Sequence, residues 1–159
     1  MTIKMSIHRR LSAELGAYSG ATADVFDVGG VAYKVFRVYG VASPERAKAR
    51  FDSECEAYRR ATGNPWLLRH TAAFYGSSRI EDILDADGKS VRSVYSLDCC
   101  YRMELLSGDE MKFLSVRESL EHLREAQKRF SANGIDLLDS SVFNCEDAER
   151  FKFIDFRIV

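Results

Sequence analysis

Polar and apolar positions alternate roughly over residues 24–28, the period of a half-buried strand. Gly29-Gly30 follows, a strong two-residue hairpin signal. Residues 31–36 then read as a second strand, with Ala32, Lys34 and Phe36 on one face. A lysine on such a face is costly unless it meets a negative group or reaches water as an edge-strand residue. Ser43 and Pro44 open a helix as N-cap and first helical residue, and Thr62-Gly63 closes it. Ala47, Phe51, Glu54 and Tyr58 share one side of that helix at helical spacing. Glu54 is the odd member of this stripe: either a solvated helix acid or the partner that Lys34 needs.

Asn64-Pro65 breaks the chain. Residues 70–80 and 91–105 read as two strands around the turn Asp85-Ala86-Asp87-Gly88. Residues 111–133 form an amphipathic helix, with Leu114, Leu120, Leu123, Gln127 and Phe130 near one face and Gly134 as C-cap. A two-strand hairpin carrying acids follows. The pattern predicts an α+β chain whose sheet-rich front half meets a helical back half at Ser107-Gly108. A cleft at that junction is the natural ligand site.

Composition narrows the class. With 46% hydrophobic and 30% charged residues, the 159-residue chain reads as a soluble globular protein, one domain or two small lobes sharing a core. A net charge of −1 gives no basic field for nucleic acid or an anionic membrane. No apolar run approaches the ~20 residues of a membrane span, and the first ten residues lack the apolar core of a secretory signal. Cys55, Cys99, Cys100 and Cys145 fit no zinc spacing and make a poor disulfide framework, so reduced, intracellular, structural cysteines are expected.

The candidate chemistry lies in residues 139–156. Asp139 stands five residues before Asn144, and Asp155 follows the run Phe151-Lys152-Phe153-Ile154. Phosphoryl transfer from a nucleotide needs one acid to orient the attacking hydroxyl, and an amide oxygen with a second acid to hold magnesium. Asp and Asn are also common turn formers, so this spacing is weak until the rest of the chain is read with it.

The chain as a whole resembles the protein-kinase family from about Leu15 onward. Val31-Ala32-Tyr33-Lys34 is similar to the family's V-A-I-K strand, which places Lys34 on the α and β phosphates. Glu54 falls where the family's helix-borne glutamate pairs with that lysine, so an ion pair between the two is expected. Residues 18–25 fall on G-x-G-x-x-G-x-V, matching only at Gly20 and Val25, with Tyr18 and Ala23 at the outer glycine positions. The resemblance assigns nucleotide contacts to Gly20, Ala21, Val25, Ala32, Lys34 and Glu54. It makes Met103 the gatekeeper and gives adenine the Glu104 carbonyl and the Leu106 amide. Residues 134–139 fall on G-I-x-H-R-D: Asp139 matches the catalytic acid and Asn144 the metal-binding Asn, while Leu137 and Leu138 replace His and Arg. Ser141 stands where lysine is usual, and Asp155-Phe156 matches D-F-G with Arg157 in place of glycine.

The resemblance implies a two-lobed kinase-like fold in a single domain: an antiparallel-sheet N-lobe with one helix over residues 1–106, and a strongly reduced C-lobe over residues 107–159. No activation loop or A-P-E motif follows Asp155. In this the chain is similar to the minimal kinases that bacterial pathogens deliver into host cells, of the OspG and NleH kind, or to a miniature effector kinase acting on a heat-shock chaperone. The implied activity is an ATP- and Mg²⁺-dependent protein kinase, serine/threonine rather than tyrosine, competent without prior phosphorylation. The implied partners are a protein substrate, such as a host chaperone or a ubiquitin-pathway protein, and an activating partner. The implied location is the cytoplasm, or the host cytoplasm after secretion. Arg157 is expected to pair with a carboxylate near the catalytic loop and hold Asp155, or else to be a solvated terminal arginine. Two alternatives stay open: a pseudokinase acting as a nucleotide- or protein-binding module, and a small-molecule phosphotransferase.

Overall fold

The computed structural model describes residues 1–4, 22–38, 43–106, 109–110, 117–137, 140–144 and 151–159. It is a mixed α+β chain that divides into two compact units: residues 1–52 with 74–105, and residues 53–73 with 106–159.

The first unit is built on strands β1 (Thr2–Lys4), β2 (Ala23–Val28), β3 (Val31–Arg37), β4 (Phe74–Ser78), β5 (Asp82–Leu84) and β6 (Tyr95–Glu104). Four of them form an antiparallel sheet in the order β2-β3-β6-β4. Gly29 and Gly30 turn β2 into β3 at φ +61° and +84°, the paired left-handed conformation that matches strand twist in a two-residue loop. The Asp27 carboxylate accepts from the Gly30 amide at 2.9 Å and tightens the turn. One core of this unit gathers Phe26, Val35 and Cys100 from the sheet with Ile3, Ile80, Ile83 and Tyr95. β1 and β5 pair in parallel, setting Ile3 opposite Ile83 within that core.

The helix α1 spans Pro44–Thr62. Ser43 caps it, its hydroxyl accepting from the Arg46 amide at 3.2 Å. Ala47, Phe51, Glu54, Cys55, Tyr58 and Ala61 are buried, a stripe at the spacing of one helical face. Phe51 meets Phe36 of β3 edge-on, with ring centroids 6.0 Å apart.

The stretch read from sequence as two long strands is more divided. β4 keeps only Phe74–Ser78 and carries a bulge between Phe74 and Gly76, where Gly76 takes φ +91°. Residues Asp82–Leu84 leave the sheet and pair with β1 instead. The Asp85–Gly88 turn forms as expected, closed by Gly88 N–H to Asp85 O at 3.0 Å and by the Asp85 side chain. A 3-10 turn at Arg92–Val94 then precedes β6.

The second unit holds the end of α1, the short helix α2 (Pro65–Arg69), helix α3 (Arg117–Ala132) and strands β7 (Asp109–Glu110), β8 (Ile135–Asp136), β9 (Ser141–Asn144), β10 (Phe151–Ile154) and β11 (Arg157–Ile158). Asn64-Pro65 does interrupt α1, but it also starts α2: the Asn64 side chain accepts from the Trp66 and Leu67 amides, and Pro65 supplies a helical φ with no N–H to satisfy. On α3, Leu123 is half-buried and Phe130 is buried, as read from sequence, but the inward position between them is Ala126 and not the exposed Gln127. Leu114 and the start of that helix lie outside the described residues. Gly134 ends α3 at φ +67°, a left-handed C-cap as expected. Around Phe130 an aromatic core assembles: Phe153 at 5.2 Å, Phe156 at 5.5 Å and Trp66 at 6.4 Å between centroids, with Tyr58 4.5 Å from Phe156.

Candidate functional site

Lys34 lies in the middle of β3, directly opposite Val25 on β2 and Tyr101 on β6. It is 5% exposed. Taking an ammonium out of water costs several kcal/mol, and its Nζ sits 5.4 Å from the Phe36 ring centroid and 5.8 Å from that of Tyr101. Cation–π contacts of that length recover about 0.5–2 kcal/mol, only part of the cost. The same register brings other expected nucleotide contacts to this face of the sheet. Ala32 is opposite Met103, both are buried, and Val25 is half-buried beside Lys34. Glu104 stands opposite Val31 at the end of β6, and Leu106 follows, half-buried. Gly20 and Ala21 lie outside the described residues.

Glu54 is buried at 0% exposure, between Phe51 and Tyr58 on the packed stripe of α1. Of its two readings from sequence, the solvated helix acid is therefore removed. Lys34 belongs to the first unit and Glu54 to the second.

Asp155 follows β10 directly and carries φ +63°, the left-handed region that Asp and Asn enter more easily than other side chains. It is half-buried. The next residue, Phe156, is fully buried in the aromatic core. Asp139 lies outside the described residues. The β9–β10 register pairs Ser141 with Ile154 and Asn144 with Phe151. The Asn144 backbone is thereby set at the far end of the hairpin from Asp155, about 13 Å along the strands at ~3.3 Å per residue. Ser140 and Ser141 are the β9-side residues at the Asp155 end. The Ser140 hydroxyl donates to Leu137 O at 2.8 Å, and Ser141 is buried. Among the described residues, no group of three His, Cys, Asp or Glu side chains is placed to hold a metal. Magnesium does not need one, because it is commonly held by one or two carboxylates together with substrate phosphates.

Two charged arrangements stand out, the first of them unread in the sequence. Asp24, 2% exposed, accepts from Arg37 Nε at 2.9 Å and from the Tyr95 hydroxyl at 2.6 Å, and a second Arg37 nitrogen completes a two-pronged pair. The Asp24 hydrogen bond, more than its charge, holds the Arg37 guanidinium above its ordinary pKa against the opposing effect of burial. The available signal was parity: Asp24 and Phe26 alternate on the apolar side of β2, where an acid needs a partner. The second is Asp136 with Arg157, Oδ2 to Nε 3.7 Å, across the β8–β11 ladder. Arg157 thus finds a carboxylate, as one of its two sequence readings required.

The three described cysteines, Cys55, Cys99 and Cys100, are buried thiols outside any disulfide. No helix among the described residues is long and apolar enough to cross a membrane. Comparison with protein-family models, with curated proteins and with solved structures finds no match to this chain.

Proposed function

We propose that this chain is an ATP- and magnesium-dependent protein kinase of minimal, effector-like type, acting on serine or threonine of a partner protein. The observation that carries the reading is the buried Lys34 ammonium on a sheet face shared with Val25, Ala32 and Met103. An apolar strip with a cation beside it suits a planar base linked to phosphates. Strongly desolvated charges are more common at functional sites than in ordinary cores. In this proposal Lys34 binds the α and β phosphates and Glu54 is its partner; Val25, Ala32 and Met103 meet the base, with Glu104 and Leu106 supplying backbone contacts. Asp139 orients the substrate hydroxyl and Asp155 holds magnesium. The bound nucleotide would supply the phosphoryl group; the chain's own part is to bind, orient and exclude water.

The reading is supported by a buried lysine, a buried helix glutamate and an aspartate held in a left-handed backbone at a strand end, in the order the family resemblance requires. The test is incubation with ATP labelled on its γ-phosphate, magnesium and a eukaryotic cell lysate, with Asp139→Ala as control. Label transferred to a lysate protein by the wild type alone supports the kinase reading. Nucleotide binding without transfer at any substrate or magnesium concentration would leave a nucleotide-binding module in its place.

A further inference from the structure

Asp155 sits at the junction of two separate ladders. Before it, β10 runs along β9 to the Ile154–Ser141 pair. After it, β11 pairs with β8 through Arg157–Asp136 and Ile158–Ile135, and the Val159 amide donates to Gly134 O at 3.0 Å. Only Asp155 and Phe156 lie between the ladders, and the Phe156 ring is locked against Tyr58 and Phe130. A residue at φ +63° costs free energy and persists only where the chain on both sides fixes its course. Here the course is fixed by a strand end, a buried ring and a two-residue ladder. The two-residue ladder is the weakest of the three, since it has few backbone bonds of its own. Its side-chain reinforcement is the Asp136–Arg157 pair, with each side chain about one-third exposed.

We propose that Asp136 and Arg157 are positioning residues: their ion pair closes the β8–β11 ladder and so holds the Asp155 carboxylate in its left-handed, metal-competent position. The consequence for magnesium rests on the kinase reading; the consequence for the backbone does not. Arg157→Asp places two carboxylates across the ladder, and like charges directly opposite each other disfavour pairing. Asp136→Arg with Arg157→Asp restores opposite charges with the order reversed. Arg157→Gln removes the charge with little change in size, and stands in if the reversal does not fold.

Two readouts are taken on each folded variant. Hydrogen exchange of residues 156–159 is measured without nucleotide. The magnesium concentration giving half of the ATP-dependent thermal shift is measured separately. For Arg157→Gln the exchange rate and the half-effect magnesium concentration both rise by about two- to fivefold, the range of a partly exposed pair. For Arg157→Asp both rise further, and the double variant returns both toward wild type. If exchange in residues 156–159 is unchanged by Arg157→Gln and Arg157→Asp, or is not restored by the swap, the pair does not brace this segment and the proposal falls. If exchange responds as expected but wild type shows no magnesium-dependent shift, the brace stands and the kinase reading is what fails. If exchange responds while the magnesium dependence of a magnesium-binding wild type does not, Asp155 is not held by the brace and the proposal is overturned.

Discussion

Replacing Asp155 separates its backbone from its carboxylate. At φ +63° an L-residue pays roughly 1–2 kcal/mol for the crowding of Cβ against the chain, and glycine pays none. Glycine instead loses more freedom on folding, about 0.4–1 kcal/mol relative to alanine. Alanine and glycine both delete whatever the Asp155 side chain contributes, so that contribution cancels between them. The difference left is the left-handed penalty minus the glycine entropy cost. Asp155→Gly should therefore be more stable than Asp155→Ala by about 1 kcal/mol, the reverse of their order at an ordinary helical or strand position. For a chain of this size that is about 2–4 °C in Tm. Urea unfolding of the nucleotide-free variants measures it. Asp155→Asn, which tolerates the same backbone, should fall nearer to wild type. In the presence of ATP, all three variants should lose the magnesium-dependent part of the thermal shift, because none presents a carboxylate. Alanine at least as stable as glycine would refute the left-handed backbone at this position. A magnesium-dependent shift surviving in both alanine and glycine variants would refute the metal role.

Asp139→Ala should abolish phosphoryl transfer yet keep most of the magnesium-dependent ATP shift, since its proposed part is in the transition state; an equal loss of binding in Asp139→Ala and Asp155→Ala would overturn that division of roles. Asp24→Ala strips the partner from a partly buried Arg37 and from the Tyr95 hydroxyl and should cost about 3 kcal/mol in urea unfolding, with Tyr95→Phe costing about 1 kcal/mol; a loss under 0.5 kcal/mol for Asp24→Ala would show that water replaces the network. Gly134→Ala should cost about 1–2 kcal/mol, from its φ of +67° and from a Cβ that meets the Arg60 guanidinium; repeating it in an Arg60→Ala background should leave the backbone part, about 1 kcal/mol, and complete relief would place the whole effect on the clash. Glu56 has its pKa lowered by hydrogen bonds from Arg59 and then Arg60, so its contribution is present above the ordinary glutamate range and lost as pH falls through the lowered folded value. The stability difference between wild type and Glu56→Gln should accordingly be visible at pH 7 and vanish only as the pH falls below the ordinary glutamate range, through the lowered folded value; a difference that grows on acidification would reverse the assignment.

Local chemistry made much of this chain legible in advance. Gly29-Gly30 can hardly be anything but a tight turn between alternating strands, and the expected β2–β3 hairpin is there. Ser43-Pro44 and Gly134 mark helix ends because capping involves only neighbouring backbone groups. The β9–β10 hairpin also follows from its own apolar alternation. Lys34 and Glu54 stood out because each puts a charge on a packed face, a conflict visible in a single strand or helix. Other features were invisible because their partners are distant in sequence. Ile3 lies 80 residues before Ile83 by number, and no local pattern says that residues 82–84 leave one sheet to pair with the first strand. The bulge at Gly76, the two-residue ladders of β8 and β11, and the choice of Ala126 over Gln127 on α3 were likewise set by what each segment packs against. The placement of Asn144 shows the same division. Sequence spacing counts residues along the chain, but a shared metal ion depends on distance through space. In an antiparallel hairpin, the residue nearest Asp155 on the partner strand is fixed by the pairing register. That register puts Ser141, not Asn144, beside the end of β10; it is set by pairing and packing through space, with Phe143 buried on one face of the hairpin and Phe153 on the other, and no count of residues along the chain reveals it.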